Sequence, residues 1–209
     1  MRYFANPSTQ KVRDVMTTGR LDMIATPKQG NALPDAVTWV ADNGCFGKGY
    51  PGDDAWLAWL ASYSSEQRSR CMFAVAPDVV GDAVATLARS RPWLARIREL
   101  GYRAAFVAQN GAEAMVLPWD EFDALFIGGD TTWKLGPHAR ALTTEAKRRG
   151  KWVHMGRVNS ARRLRYADAI GCDSADGTFI AFGPDQNLPK VMAWLRGVND
   201  QPALFRGAA

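Results

Sequence analysis

AAFVAQNG, residues 104–111, holds the pattern on which the fold reading turns. The apolar run Ala104–Ala108 is short for a helix and fits a strand buried on both faces. It stops in Gln109-Asn110-Gly111, a polar, turn-forming end. The same arrangement recurs on both sides. Val40-Ala41 meets Asp42-Asn43-Gly44, and Val75-Ala76 meets Pro77-Asp78. Phe126-Ile127 meets Gly128-Gly129-Asp130, His154-Met155 meets Gly156-Arg157, and the Cys172–Ala175 run meets Asp176-Gly177. Any one such end is an ordinary strand-to-loop transition. A series of them, with carboxylates and an amide among them, points to a polar pocket.

Further candidate strands are Arg2–Ala5, Asp22–Ala25 and Thr38–Ala41, with Met72–Ala76, Ala124–Ile127 and Trp152–Met155 completing the set begun above. Helical patterns lie between most of them. Thr9–Thr17 places Val12, Val15 and Met16 on one face, and Asp54–Tyr63 carries Trp56, Leu57, Trp59 and Leu60 behind an acidic start. Asp82–Leu100 is long, and Pro92 is expected to break it. Pro137–Arg149 ends in basic residues before Gly150, Ser160–Ile170 opens on a capping residue, and Pro189–Arg196 opens on proline. The Lys28–Val37 connection, with Gly30 and Pro34, reads as a loop. Strands alternating with helices give a parallel sheet, and eight strands suggest a compact (β/α)8 barrel spanning residues 1–209 as a single domain. A chain of 209 residues is near the lower limit for that fold, so some helices must be short or missing. An open doubly wound sheet is the alternative, but no Gly-x-Gly-x-x-Gly element follows an early strand. In a barrel, all the polar strand ends share one rim, where active sites are built.

Composition adds limits. Hydrophobic residues are 47% and charged residues 22%, as in a globular protein with a core. No stretch reaches the roughly 18 apolar residues of a membrane helix, and MRYFANPSTQ lacks a signal-peptide h-region. Three scattered cysteines, Cys45, Cys71 and Cys172, suit a reducing cytoplasm. The net charge of +5 suits a polyanionic partner, although the basic cluster from Lys147 to Arg165 also reads as solvated helix faces. The two histidines, His138 and His154, have no metal-ligand spacing with a cysteine; His138 reads as surface and His154 as a core or interhelical position. No metal and no cofactor are expected. Neither a Gly-x-Ser-x-Gly elbow nor a P-loop is present. Trp56, Trp59, Trp93 and Trp194 read as core-facing aromatics, whereas Trp133 beside the Gly-Gly rim is a candidate for binding. Carboxylates and an amide on a glycine-rich rim suit a base edge offering N–H donors and a carbonyl, as guanine does.

Taken in order, these rim elements resemble the tRNA-guanine transglycosylase superfamily, and most of all its small phage and bacterial DNA-guanine transglycosylase branch. That branch inserts 7-deazaguanines into DNA. Asp42-Asn43-Gly44-Cys45-Phe46 resembles the family's Asp-Ser-Gly-Gly-aromatic element, and Pro77-Asp78 its base-reading aspartate. Val107-Ala108-Gln109-Asn110-Gly111 resembles its Val-Gln-Gly strand end, while Ile127-Gly128-Gly129 and Met155-Gly156 match its Ile-Gly-Gly and Met-Gly. Gly171-Cys172-Asp173-Ser174-Ala175-Asp176 resembles the nucleophile segment, Gly-x-Asp-x-x-Asp. The opening Tyr3-Phe4-Ala5-Asn6 and Asp22-Met23-Ile24-Ala25 also look like the DNA branch. The tRNA enzymes' zinc motif is absent, and little chain remains after the last barrel element for a tRNA-binding appendage, so DNA is the expected substrate.

The resemblance implies a covalent mechanism with retention at C1′. The nucleophile is Asp176 by ungapped alignment and Asp173 by a gapped one. Asp42 is the general acid and base. Asp78 accepts from guanine N1–H and the exocyclic amine, Gln109 and the Gly129 N–H bind the base carbonyl, and Phe46 and Met155 sandwich the ring. Asn43, Gly128 and Gly156 complete the base site. Arg157, with Lys134 as a second candidate, holds a DNA phosphate. The partners implied are guanine-containing DNA and a free 7-deazaguanine base, with no membrane partner. A tRNA-guanine transglycosylase-like enzyme, a DNA N-glycosylase and a non-catalytic nucleic-acid-binding subunit are the alternatives.

Overall fold

Each of eight short strands is hydrogen-bonded in parallel to the next, and the last pairs with the first, closing a barrel. This computed structural model describes residues 1–47 and 49–200. The strands are β1 (Arg2–Ala5), β2 (Asp22–Ala25), β3 (Trp39–Ala41), β4 (Cys71–Val75), β5 (Ala104–Ala108), β6 (Ala124–Ile127), β7 (Trp152–Met155) and β8 (Ser174–Asp176). Around them run α1 (Gln10–Thr17), α2 (Asp53–Ala61), α3 (Ser65–Ser69), α4 (Ala83–Glu99), α5 (Thr131–Lys134), α6 (Pro137–Arg148), α7 (Ala161–Ala169) and α8 (Pro184–Asn199). The fold is the expected (β/α)8 barrel. Its economy comes after β2 and β5, where single turns at Pro27–Gln29, Ala112–Ala114 and Trp119–Glu121 replace helices. No helix of the described residues is long and apolar enough to cross a membrane.

Strand alternation sorts the core into two layers. Phe4, Ile24, Val40, Phe73, Val75, Ala105, Val107 and Ala124 fill the barrel interior, with Phe126 and Trp152 against them. The alternate residues, among them Tyr3, Trp39, Phe106, Ile127 and Met155, pack outward beneath the helices. Full burial of each large apolar side chain contributes about 1.5–3 kcal/mol. The interior is not wholly apolar. At its lower end Arg2 grips Asp22 through two bonds of 2.7 and 2.6 Å, and His154 and Ser174 are fully buried within it.

Several elements depart from the sequence reading. Pro92 does not break α4, which runs through it from Ala83 to Glu99. The buried face of Thr86, Ser90, Leu94 and Ile97 holds the helix in place, while Pro92 itself is on the exposed side. The last helix begins at Pro184 rather than Pro189, so Pro189 lies within it. The final strand is displaced toward the C-terminus, from Cys172–Ala175 to Ser174–Asp176. Asp176 is therefore its last residue and Asp173 precedes its start. The Asp130-capped helix α5 has only four residues, too few to leave a periodic pattern.

Candidate active site

The C-terminal ends of the strands surround a cavity of about 400 Å³, lined by Asp42, Asn43, Phe46, Asp78, Gln109, Phe126, Gly128, Arg157 and Asp176 among others. A volume of this size lies in the range of small-molecule sites.

On one side Asp78 is fixed by two amides. Asn43 Nδ2 donates to its Oδ1 at 2.9 Å and to the Ala76 carbonyl at 2.8 Å, and Gln109 Nε2 donates to its Oδ2 at 2.7 Å. Burial lifts the Asp78 carboxyl above the usual carboxylate range, although both amides pull the other way. Gln109 Oε1 in turn accepts the N–H groups of Gly81 at 3.0 Å and Gly129 at 2.8 Å. The Gly129 N–H, expected to meet a base carbonyl, is thus already committed to Gln109. Its neighbour Gly128 lines the cavity instead, and a Cβ there would meet Val107 Cγ1 at 2.7 Å. The second hydrogen on Gln109 Nε2 is the donor that this side chain can still offer a carbonyl.

Asp42 stands at the end of β3, its Oδ1 taking the Gly44 N–H at 2.7 Å. Burial pushes its carboxyl up to about 7; the Gly44 bond opposes this, and the charges of Asp176 and Asp78 add to it. A carboxyl in that range can both give and take a proton near neutrality. Asp176 ends β8 with its side chain in the same cavity. His154 Nε2 is 2.8 Å from its Oδ2, and the Arg157 backbone N–H donates to its Oδ1 at 3.2 Å. Asp173 is elsewhere. It lies at the lower end of the barrel, where Lys147 Nζ binds both its oxygens at 2.7 and 2.8 Å and Val153 N–H donates to it at 2.8 Å. Its main-chain carbonyl accepts from Arg2 at 3.0 Å, at the start of β1. The alternation of Asp-Ser-Ala-Asp along β8, together with the strand's late start, separates the two carboxylates, so Asp173 ties strands together and does not reach the mouth.

The remaining site residues divide by facing. Phe46 is 64% exposed on the loop after β3, and the Arg157 guanidinium lies over its ring at 4.1 Å. Arg157 has φ of 59°, a left-handed backbone uncommon for a side-chain-bearing residue, and its guanidinium also donates to the Gly129 carbonyl. Met155 is fully buried on the outer face of β7 beneath the helices, because His154 takes the inward position; it cannot flank a base. Phe126, one strand away and in register with His154, is the ring that forms the cavity wall. Gly156 supports that ring by having no side chain: a Cβ there would come within 2.5 Å of Phe126 Cε1. Lys134 is 1% exposed and donates to the Gly156 carbonyl at 2.6 Å, so it is not available to a phosphate. Burial first, and the Arg157 charge second, bring its ammonium down to about 8. Trp133 is buried behind the rim with Nε1 on Glu113 at 2.8 Å, and does not line the cavity.

Two contributors were not read as site residues from the sequence, although His154 was read as a core or interhelical position. His154 lies inside the barrel rather than between helices. Arg89 on α4 braces the loop after β3, donating to Asp53 at 3.0 Å and to the Asp78 carbonyl at 3.0 Å while its guanidinium covers Tyr50. The nearby Cys45 thiol is pushed up to about 12 by burial, which suits a packing role better than a nucleophile's. Among the described residues no group of three or more His, Cys, Asp or Glu is arranged to hold a metal ion.

No family model matches the chain, and no curated protein matches it in sequence. Solved structures share its architecture. BexX, in the Amycolatopsis orientalis BexX/CysO complex, is one context: that structure has TM-score 0.58 at 16% identity, covering 96% of this chain and 92% of its own. The 3-hexulose-6-phosphate synthase of Salmonella typhimurium has TM-score 0.55 at 13% identity, covering 95% of this chain and 100% of its own. At these identities the likeness shows the barrel fold alone.

Proposed function

We propose that this chain is a DNA-guanine transglycosylase, exchanging guanine in DNA for a free 7-deazaguanine base. The observation that carries the reading is the meeting of Asp42, Asp78 and Asp176 on one cavity, each in different surroundings. Asp78 is aligned by amides, as a group that reads N–H donors must be. Asp42 has the raised carboxyl of a proton donor. Asp176 is held by donors from β7 and the segment after it.

In the proposed reaction Asp176 attacks C1′ while the bond from C1′ to guanine N9 breaks. The bonding pair leaves with the base, which is neutralised by the Asp42 proton. The incoming base loses a proton to Asp42 and attacks C1′, and the Asp176 carboxylate departs. Two displacements restore the original configuration. Asp78 and Gln109 hold the base edge, Phe126 and Phe46 contact its faces, and Arg157 at the mouth meets the backbone phosphate. A stacked guanine must leave the helix to enter.

The test is direct. The protein is incubated with guanine-containing DNA and candidate 7-deazaguanine bases, the DNA is digested to nucleosides, and their masses are measured. Incorporation of the added base is expected. Abasic sites without incorporation would mark an N-glycosylase instead, and exchange into tRNA but not DNA would move the substrate to the tRNA branch.

A further inference from the structure

A chain of hydrogen bonds runs along the inner wall of β7 and β8 and ends on Asp176. Trp152 Nε1 is 2.8 Å from Ser174 Oγ, Ser174 Oγ is 2.9 Å from His154 Nδ1, and His154 Nε2 is 2.8 Å from Asp176 Oδ2. The direction of this chain follows from what each member can donate and accept. An indole N–H can only donate, so Ser174 Oγ accepts from Trp152. That oxygen has a second lone pair, so the serine's own hydrogen decides the direction: among the described residues its acceptor is His154 Nδ1, and an accepting Nδ1 places the imidazole hydrogen on Nε2, facing the carboxylate. A hydrogen on Nδ1 would be accepted by the same oxygen and would leave the Ser174 hydrogen without an acceptor inside a fully buried site. The ring has no room to turn, since Phe4, Phe73 and Phe126 surround it at centroid distances of 5.8, 5.3 and 4.6 Å.

We propose that Trp152 and Ser174 lock His154 as the Nε2–H tautomer, and that His154 so fixed is a positioning residue for Asp176. The tautomer follows from the hydrogen-bond geometry by itself; the positioning role rests on the reading of Asp176 as nucleophile. The N–H holds Oδ2 in place before attack at C1′. It also faces the negative charge that returns to the carboxylate when the sugar ester is displaced by the incoming base. His154 acts through Asp176 and does not bind either base or DNA.

Two measurements test this. Nitrogen-15 spectra of the imidazoles report which ring nitrogen carries hydrogen, and with two histidines in the chain a His138→Gln variant leaves His154 alone. A protonated Nε2 and a bare Nδ1 are expected in the otherwise unaltered protein, with the Nδ1 resonance moving to that of a nitrogen without a hydrogen bond in Ser174→Ala. A hydrogen on Nδ1, or on both nitrogens, overturns the lock. In base exchange, His154→Leu is expected to lower kcat by about 10²-fold with KM for DNA little changed, as for a misplaced reacting group. His154→Gln, which keeps an N–H near the Nε2 position, should recover much of that loss. A kcat in His154→Leu equal to that of the unaltered protein, or no recovery in His154→Gln, overturns the positioning role. Absence of exchange in the unaltered protein counts against the transglycosylase reading, and the spectra still decide the lock.

Discussion

The Gln109 amide donates to Oδ2 of Asp78 at 2.7 Å, so two residues proposed to read a base edge are already joined to each other. With Asn43 on the other oxygen, Asp78 is flanked by donors on both sides. Asp78→Asn would turn an N–H₂ group toward one of those amides and leave a donor facing a donor. We expect a stability loss of about 1–3 kcal/mol, read by urea unfolding, together with loss of guanine exchange. Unchanged stability would mean that the amides do not hold Asp78 as described.

Asp42 sets a pH dependence whose sign can be stated. Its folded carboxyl lies at about 7, above the ordinary 3.8, so the folded chain holds the proton more tightly than the unfolded one. The resulting contribution to stability is complete below the ordinary value and is lost as pH rises through about 7. Asp42→Asn should flatten that part of the stability profile, measured by melting temperature across pH. The same variant should lower exchange by about 10²–10⁴-fold, the usual contribution of a proton-transfer group. A stability profile identical to that of the unaltered protein would refute the raised carboxyl.

Gly156→Ala tests the cavity wall. The new Cβ would crowd Phe126, whose ring lines the base site. Overpacking of this kind costs about 1–3 kcal/mol. The expected result is a lower melting temperature and a raised KM for the free base. A variant with an unaltered KM would place the base away from Phe126.

Arg157→Ala should weaken DNA binding and reduce the salt dependence of log Kd by about one counterion. Because the guanidinium also donates to the Gly129 carbonyl and covers Phe46, a small drop in melting temperature should accompany it. Equal salt slopes for the two proteins would remove Arg157 from the phosphate contact.

The barrel was legible because each strand's apolar run ends in residues that cannot continue it, as Ala108 meets Gln109 and Ile127 meets Gly128. What the runs did not reveal was which of two alternating residues points inward. β7 is buried on both faces from Val153 onward, so Met155 and His154 are equally consistent with a core. Polar phase was the usable signal: Asp176, Ser174 and Arg2 on neighbouring strands share the inward register with His154 and Phe4. The Asp173 alternative failed to reach the rim for the same reason in another form, since a strand beginning at Ser174 leaves Asp173 at the opposite end. Lys134 looked available because Thr131–Lys134 is too short to show a buried face, and only its packing against Gly156 reveals one. Gly129 matched a motif, but the partner of its N–H is Gln109, a contact between strands that no local pattern encodes.

The most direct test of the two-carboxylate account is the intact mass of protein trapped on guanine-containing DNA in the absence of an incoming base. Asp176→Asn keeps the side-chain shape while removing the anionic nucleophile, and Asp173→Asn changes a residue bound to Lys147 at the barrel's lower end. The account predicts a covalent protein–DNA adduct in the unaltered protein and in Asp173→Asn, and none in Asp176→Asn. An adduct that persists in Asp176→Asn would contradict it.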